Sequence, residues 1–553
     1  MPVKNYGIYL AYPPTVDLRT AGLGRHLAML LKGAASLEDV RFTIICPSWS
    51  REMLRILFDA EQVPEKQYEI ISPKGQPYIL YCFELWRAFC ARARQKLSKR
   101  QRITLKIQAT IESLWLRLTT RMVSIYGPLS LGVFLGEILI IVPPLLLLGL
   151  IVSPFIIFAI GVRAFKMGAG RILSPFTKRW STLVARLTRI LATPQKDGWV
   201  LRLYDEMQKA ETQRMQQAID SLTNVKAWYS PTAFWPSFNN IRAPRLMCVP
   251  DVVLREFPSG FASLGGDHFL NTFDAIKRSI QGSENFVTYS DSVKWQTLVD
   301  EYAVKASNIT VIKHAPSDLS LRVRINGFSD TETTTRYYCQ TLLRVALQRS
   351  TNPHYTATFL NGNVRFLFYA SQLRPNKNVM LLLRAYKYLL RERYLGHKLI
   401  LTGNPSDFPE IGRFVVDHRL ESDVIFLPGL SVAELAACYK LADLAVNPSL
   451  SEGGCPFTFS EALSVGTPVV MARIPVTEEV LSEPELQRVT LFDPYDWRSC
   501  AERIEWAILN RDALLPVQLA VHGRLSERTW VDVTKEYVAA LDRISAESES
   551  RTE

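Results

Sequence analysis

Short apolar runs alternate with helical stretches along most of this chain, and the pattern occurs twice. One set of strand-like runs occupies residues 7–11, 41–46, 227–229, 246–249, 286–289 and 310–312. The other occupies 365–370, 398–402, 424–427, 444–446, 468–471 and 490–492. Apolar strands separated by helices specify parallel α/β sheets. At 553 residues the chain exceeds one ordinary core. The expected fold is therefore α/β, with two doubly wound domains facing across a cleft and ligands at the carboxyl ends of the strands. The spans read as 1–86 with 194–313 for the first domain and 314–530 for the second. Residues 87–193 form an insertion, and the linker falls near His314-Ala315-Pro316. Residues 530–544 read as a helix, and the polar residues 545–553 are expected to be disordered.

The most informative stretch for function is 452–470, Glu-Gly-Gly-Cys-Pro-Phe-Thr-Phe-Ser-Glu-Ala-Leu-Ser-Val-Gly-Thr-Pro-Val-Val. A strand signal precedes it and a short helix pattern follows. A strand, glycine loop and helix present free backbone N–H groups to an anion. Carboxylates such as Glu452 and Glu461 can accept hydrogen bonds from sugar hydroxyls. Together they suit a sugar nucleotide. The alternative is an ordinary βα turn with solvated acids. Upstream, Ser371-Gln372-Leu373-Arg374-Pro375-Asn376-Lys377-Asn378 follows the first strand of the second set. Arg374 and Lys377, three apart at a strand end, can clamp a diphosphate as it becomes a leaving group.

These strings resemble the donor site of glycosyltransferase family 4, the group 1 glycosyltransferases, which are retaining enzymes of the GT-B fold. The family usually puts seven residues between its two glutamates, whereas here there are eight. Glu461 aligns through the following Ala-Leu and Gly-Thr-Pro. The family commonly has Gly-Arg-Leu where this chain has Ser371-Gln372-Leu373, so Gln372 replaces an arginine and Arg374 is the candidate to restore its charge. The form Gln-x-Arg-Pro-x-Lys-Asn is similar to a variant in some GDP-mannose-using members.

The resemblance implies a catalytic set of Glu452, Arg374, Lys377 and Asp251. Asp251 follows a strand of the first domain, where it could instead cap the next helix. Glu461, Gly453, Gly454, Gly403 and Gly429 are implied at the donor. Gly22 and Gly24 in Thr20-Ala21-Gly22-Leu23-Gly24-Arg25-His26 look like the family's Gly-Gly-x-x-Arg segment at the cleft, opening a helix over 27–32. His314 reads as structural, and the final helix is implied to cross back onto the first domain. There is no Gly-Lys-Ser/Thr phosphate loop and no Asp-x-Asp pair, so neither a metal nor another cofactor is expected. Cysteines are scattered without a Cys-x-x-Cys pair, which fits a reducing compartment.

The formal net charge is +12. Between Arg92 and Pro194 there are sixteen Lys/Arg against two acids, an excess of +14, which leaves about −2 for the rest. Basicity thus belongs to the insertion, not to a nucleic-acid-binding body. Residues 128–162 are almost continuously apolar, with Pro143-Pro144 near the middle and basic residues on both flanks. Two full crossings need about 40 residues, so a re-entrant or interfacial hairpin is expected, with both ends on the cytoplasmic side. An amphipathic helix follows. Phe176 and Trp180 lie on its apolar stripe, with Lys178, Arg179, Arg186 and Arg189 off it. Anionic membrane lipids are the expected partner.

The expectation is a glycosyltransferase at the cytoplasmic face of a bacterial inner membrane. It would move a sugar from a nucleotide-diphosphate donor to a lipid-linked saccharide, with GDP-mannose favoured. Rival readings are a membrane-anchored pseudoenzyme scaffold and a GT-B epimerase or soluble glucan synthase.

Overall fold

A computed structural model describes residues 3–14, 16, 18, 22–37, 39–77, 199–265, 267–350 and 364–552. The chain divides into two compact units, Met1–Lys74 with Tyr204–Glu553, and Gly75–Leu203. The described residues of the second are 75–77 and the start of the helix Trp199–Asp220. The expected insertion 87–193, with its hairpin 128–162 and Phe176, Lys178, Arg179, Trp180, Arg186 and Arg189, lies outside the described residues. Among the described residues no helix is long and apolar enough to cross a membrane.

The first unit contains two all-parallel sheets. One is built from β1 (Lys4–Tyr9), β2 (Val40–Ile45), β3 (Tyr68–Ile71), β4 (Trp228–Ser230), β5 (Arg245–Cys248), β6 (Asn285–Thr288) and β7 (Ile309–Val311), in the spatial order β3-β2-β1-β4-β5-β6-β7. The other is built from β8 (Phe366–Tyr369), β9 (Lys398–Leu401), β10 (Val424–Phe426), β11 (Leu444–Asn447), β12 (Val469–Ala472) and β13 (Leu491–Phe492), in the order β10-β9-β8-β11-β12-β13. Helices on both faces bury these strands from either side, so they read as continuous apolar runs.

Each order reverses once, between β1 and β4 and between β8 and β11. The chain leaves the two central strands in opposite directions, which opens a crevice at their carboxyl ends. At the first reversal Gly7 pairs with Trp228. A Cβ on Gly7 would lie 2.2 Å from the indole, so only glycine lets this large ring close the core.

Three elements depart from the sequence reading. β3 was not expected. It is a four-residue edge strand carrying the exposed Glu69, and a charge on an edge weakens the apolar signal while guarding against sheet extension. The first helix spans Gly22–Ala34, starting five residues before the expected 27. The final helix spans Trp530–Thr552 and so includes most of the tail expected to be disordered. A helix already anchored by packing extends at little cost. Its anchor is the first sheet. Val533, Tyr537, Leu541 and Ile544 join that sheet's core, Thr534 Oγ1 donates to Leu30 O at 2.9 Å, and Asp542 accepts from Lys4 Nζ and Tyr6 OH at 2.8 and 2.6 Å.

Candidate active site

The reversal point of the second sheet brings the two expected loops together. After β8 the chain makes a 3-10 turn, Pro375–Lys377. Asn378 follows in the left-handed region at φ 49°, which asparagine tolerates better than most residues, and the helix Val379–Arg391 begins. After β11 the chain runs through Ser449 to Glu452. Leu450 N donates to Asn376 O at 2.8 Å and ties the loops side by side. Lys377 Nζ then meets Glu452 Oε1 at 2.6 Å, with both side chains about one-fifth exposed (21% and 19%). Burial works to lower the Lys377 pKa. The Glu452 carboxylate beside it, with Tyr369 and Asp251, outweighs that and holds the ammonium above its ordinary value.

Gln372 takes part in this group. Arg374 Nη2 donates to Gln372 Oε1 at 2.6 Å, so the residue that replaces the family's arginine holds another arginine in place. Both line the cleft together with Lys377 and Glu452. Across from them Pro250 lines the cleft after β5, followed by the partly buried Asp251. Burial pushes the Asp251 carboxyl up to about 6, while Lys377 and Arg374 pull it down and Glu452 and Glu256 push it further up. Asp251 does not cap the short helix Val253–Glu256, whose N-cap is Val252 with no side-chain capping bond.

Glu461 sits on the helix Phe457–Ser464 and is 3% exposed. It accepts from Arg25 Nη1 at 2.8 Å, and Ser317 Oγ lies 3.5 Å from the same oxygen. Burial raises the Glu461 pKa, opposed by the Arg25 guanidinium. Arg25 lies near the start of the first helix, so this pair joins the first sheet's domain to the second. Arg25 was outside the expected site set. Its only signal in the sequence was its place in the Gly22-to-Arg25 segment.

Gly22, Gly403 and Gly429 line the cleft; Gly403 is also buried, where a Cβ would fall 2.4 Å from Leu373 Cγ, and Gly429 has φ 69°. Gly24, Gly453 and Gly454 are buried in packing instead. A Cβ on Gly24 would fall 2.0 Å from Leu18 O, and one on Gly453 would fall 2.1 Å from Pro250 O. One on Gly454 would fall 2.9 Å from Tyr289 Cβ. The close approach these two loop glycines permit is therefore to the opposite domain's chain. Ser290 Oγ reinforces it by donating to Gly453 O at 2.9 Å. His314 lies in the same seam. Its ring is 3.9 Å from Tyr289, 4.9 Å from His26 and stacked at 5.5 Å on Phe457. Burial holds His26 down at about 4 and His314 well below its usual range.

The cleft encloses about 1560 Å³. Its second-sheet side carries two cations and a carboxylate at the carboxyl ends of β8 and β11, an arrangement suited to an anion bearing a hydroxylated group.

Residues 356–521 match the family model of the glycosyl transferases group 1. The match covers the second sheet and its loops, a little under a third of the chain. Over 112 residues the chain is 36% identical to the O-antigen chain mannosyltransferase RfbU of Salmonella typhimurium, which is 20% of this chain and 31% of that protein. It is 26% identical over 181 residues to a lipopolysaccharide 1,2-N-acetylglucosaminetransferase of the same species, covering 31% of this chain and 46% of the relative. The chain thus spans less than half the length of these curated relatives. The crystal structure of Anabaena Alr3699/HepE in complex with UDP and glucose superposes with a TM-score of 0.51 at 13% identity, covering 98% of this chain and 100% of the other. That likeness is one of fold, and the two parallel-sheet α/β domains are consistent with GT-B.

Proposed function

We propose that this protein is a glycosyltransferase that moves a hexose from a nucleotide-diphosphate donor to a saccharide acceptor in bacterial surface polysaccharide assembly. The observation that carries this reading is the meeting of Lys377 with Glu452, beside Arg374, at the reversal point of the second sheet. The match to group 1 glycosyl transferases over the same residues supports it, as does the likeness to transferases named for O-antigen and lipopolysaccharide.

In the proposed mechanism the diphosphate takes up negative charge as its bond to the sugar breaks. Lys377 and Arg374 are fixed cations and stabilise that state more than the ground state. Lys377 exchanges part of its contact with Glu452 for the phosphate, which frees the carboxylate to place the sugar. Asp251 faces the same charges from the first domain and orients the acceptor hydroxyl. The transfer proceeds with retention, GDP-mannose is the favoured donor, and no metal is required. A mannosyltransferase among the relatives supports the mannose reading. The acceptor is lipid-linked. The insertion holds the protein monotopically on anionic lipid at the cytoplasmic face of the inner membrane.

The test is sugar-nucleotide turnover, measured with and without membrane extract as acceptor source. Lys377→Ala and Arg374→Ala should each lower turnover by about two orders of magnitude or more. Wild-type rates in both variants would remove this donor site, and no turnover by the wild-type protein on any sugar nucleotide would leave the scaffold reading. Replacing 128–162 by a short Gly/Ser linker should release the protein from membranes with donor hydrolysis intact. Continued sedimentation with membranes would refute the anchor alone.

A further inference from the structure

The two sides of the cleft differ in chemistry, and on the first-sheet side only Asp251 has so far been given a role toward the acceptor. That side forms at its own reversal point, from the loops after β1 and β4 and from the helices Trp199–Asp220 and Asp267–Gln281. The loop after β4 reads Pro231-Thr232-Ala233-Phe234-Trp235-Pro236-Ser237. It is held rigidly. Ser230 Oγ donates to Thr232 O at 2.7 Å, the hydroxyls of Tyr9 and Ser237 share a hydrogen bond of 2.7 Å, and the ring of Trp235 meets Tyr12 edge-on at 4.8 Å. Its neighbours Ala233 and Trp235 are 5% and 4% exposed, yet Phe234 between them is 43% exposed and lines the cleft. A phenyl ring left uncovered on a fixed loop costs apolar burial that the fold could have used.

The helices on the same side of the cleft contribute amide side chains, Gln208, Gln213 and Asn271, together with Thr212, Lys209 and Arg278. Gln208 Nε2 donates to Ala11 O at 2.8 Å, which fixes the side chain and leaves its carbonyl oxygen able to accept. A flat apolar ring with amides nearby suits a pyranose. The ring covers the sugar's C–H face and the amides take its hydroxyls. The space agrees, because about 1560 Å³ exceeds the roughly 300–1,000 Å³ usual for one small ligand.

We infer that Phe234 is the stacking platform of an acceptor subsite on the side of the cleft that also carries Gln208, Gln213 and Asn271, which binds a sugar residue of the acceptor chain. This rests on the glycosyltransferase reading and goes further by assigning the side chain that holds the acceptor's sugar.

The test uses full-length protein, α-mannotriose and chitotriose as probes in saturation-transfer NMR, and GDP and UDP in a thermal-shift assay. At least one trisaccharide should bind. Phe234→Ala should weaken it about tenfold, and Phe234→Trp should restore it, with the nucleotide shift unchanged in both. Equal saccharide affinity in wild type and Phe234→Ala overturns the subsite. So does wild-type protein that binds nucleotide but neither sugar, and that result leaves the transferase reading standing. Protein that binds sugar but neither nucleotide overturns the donor site instead.

Discussion

Arg25 and Glu461 lie 436 positions apart in sequence and 2.8 Å apart in space. The arginine is 22% exposed and the glutamate 4% by side chain, so the carboxylate depends on its partner far more than the guanidinium does. The same carboxylate is one that the family resemblance implies at the donor. The first domain occupies one of its two oxygens, and a donor bound as proposed would have to share or displace that contact.

Breaking the pair from the arginine side leaves a buried carboxylate unpaired. Arg25→Ala should therefore destabilise the protein by about 1–3 kcal/mol in urea unfolding. Glu461→Gln keeps a neutral acceptor for Arg25 and should cost less. If Arg25→Ala unfolds at the wild-type urea concentration, the pair contributes nothing to holding the domains together.

Two buried groups give stability opposite slopes in pH. The Asp251 carboxyl is raised to about 6, so between about pH 4 and 6 the folded state holds a proton that the unfolded state has released, and stability falls as pH rises. His26 is lowered to about 4, so between about pH 4 and 6.5 the unfolded state binds the extra proton and stability rises with pH. His314, lowered like His26, adds to the rise, and Glu461, raised like Asp251, adds to the fall. Asp251→Asn removes one falling contribution and should therefore gain about 2 kcal/mol on wild type between pH 4 and 6. A constant difference between the two proteins across that range would show that the carboxyl is not raised.

In the proposed site Gln372 would act through Arg374, which donates to it at 2.6 Å, without touching the donor. Gln372→Ala should lower kcat about tenfold at an unchanged donor KM, and should have no further effect in an Arg374→Ala background. Additive losses in the double variant would mean that Gln372 contacts the substrate itself.

Gly453 and Gly22 give a matched pair of alanine substitutions. At Gly453 the methyl would meet Pro250 O at 2.1 Å, while at Gly22 nothing lies within 4 Å. Gly453→Ala must displace the loop that carries Glu452, and turnover should fall at least tenfold. Gly22→Ala should leave turnover unchanged. Equal rates in the two variants would show that the seam yields without moving the glutamate.

Most of both sheets was legible because strands buried on both faces are written as unbroken apolar runs. β3 was missed because one edge carries Glu69. Lys377, Arg374 and Glu452 could be found because each sits a fixed short distance after a strand, so local order places it at the cleft. Arg25 and Phe234 depend on which strand ends the two domains turn toward one another, and no short window of sequence states that. Gly453 and Gly454 show the same limit. A glycine reports that something approaches closely, and only the assembled fold shows that Pro250 and Tyr289 do so here.

The helix Trp530–Thr552 makes the order of synthesis matter. Val533, Tyr537, Leu541 and Ile544 close the core of a sheet whose first strand begins at Lys4. That sheet has its strands early but lacks this cover until the second sheet has been translated in full. In the interval the faces of Leu27, Leu30 and Leu31 that await the helix stay uncovered, available to a chaperone or to another unfinished copy. The second domain, whose strands lie consecutively between Phe366 and Phe492, has no such wait. The later-made domain can therefore reach its final packing first.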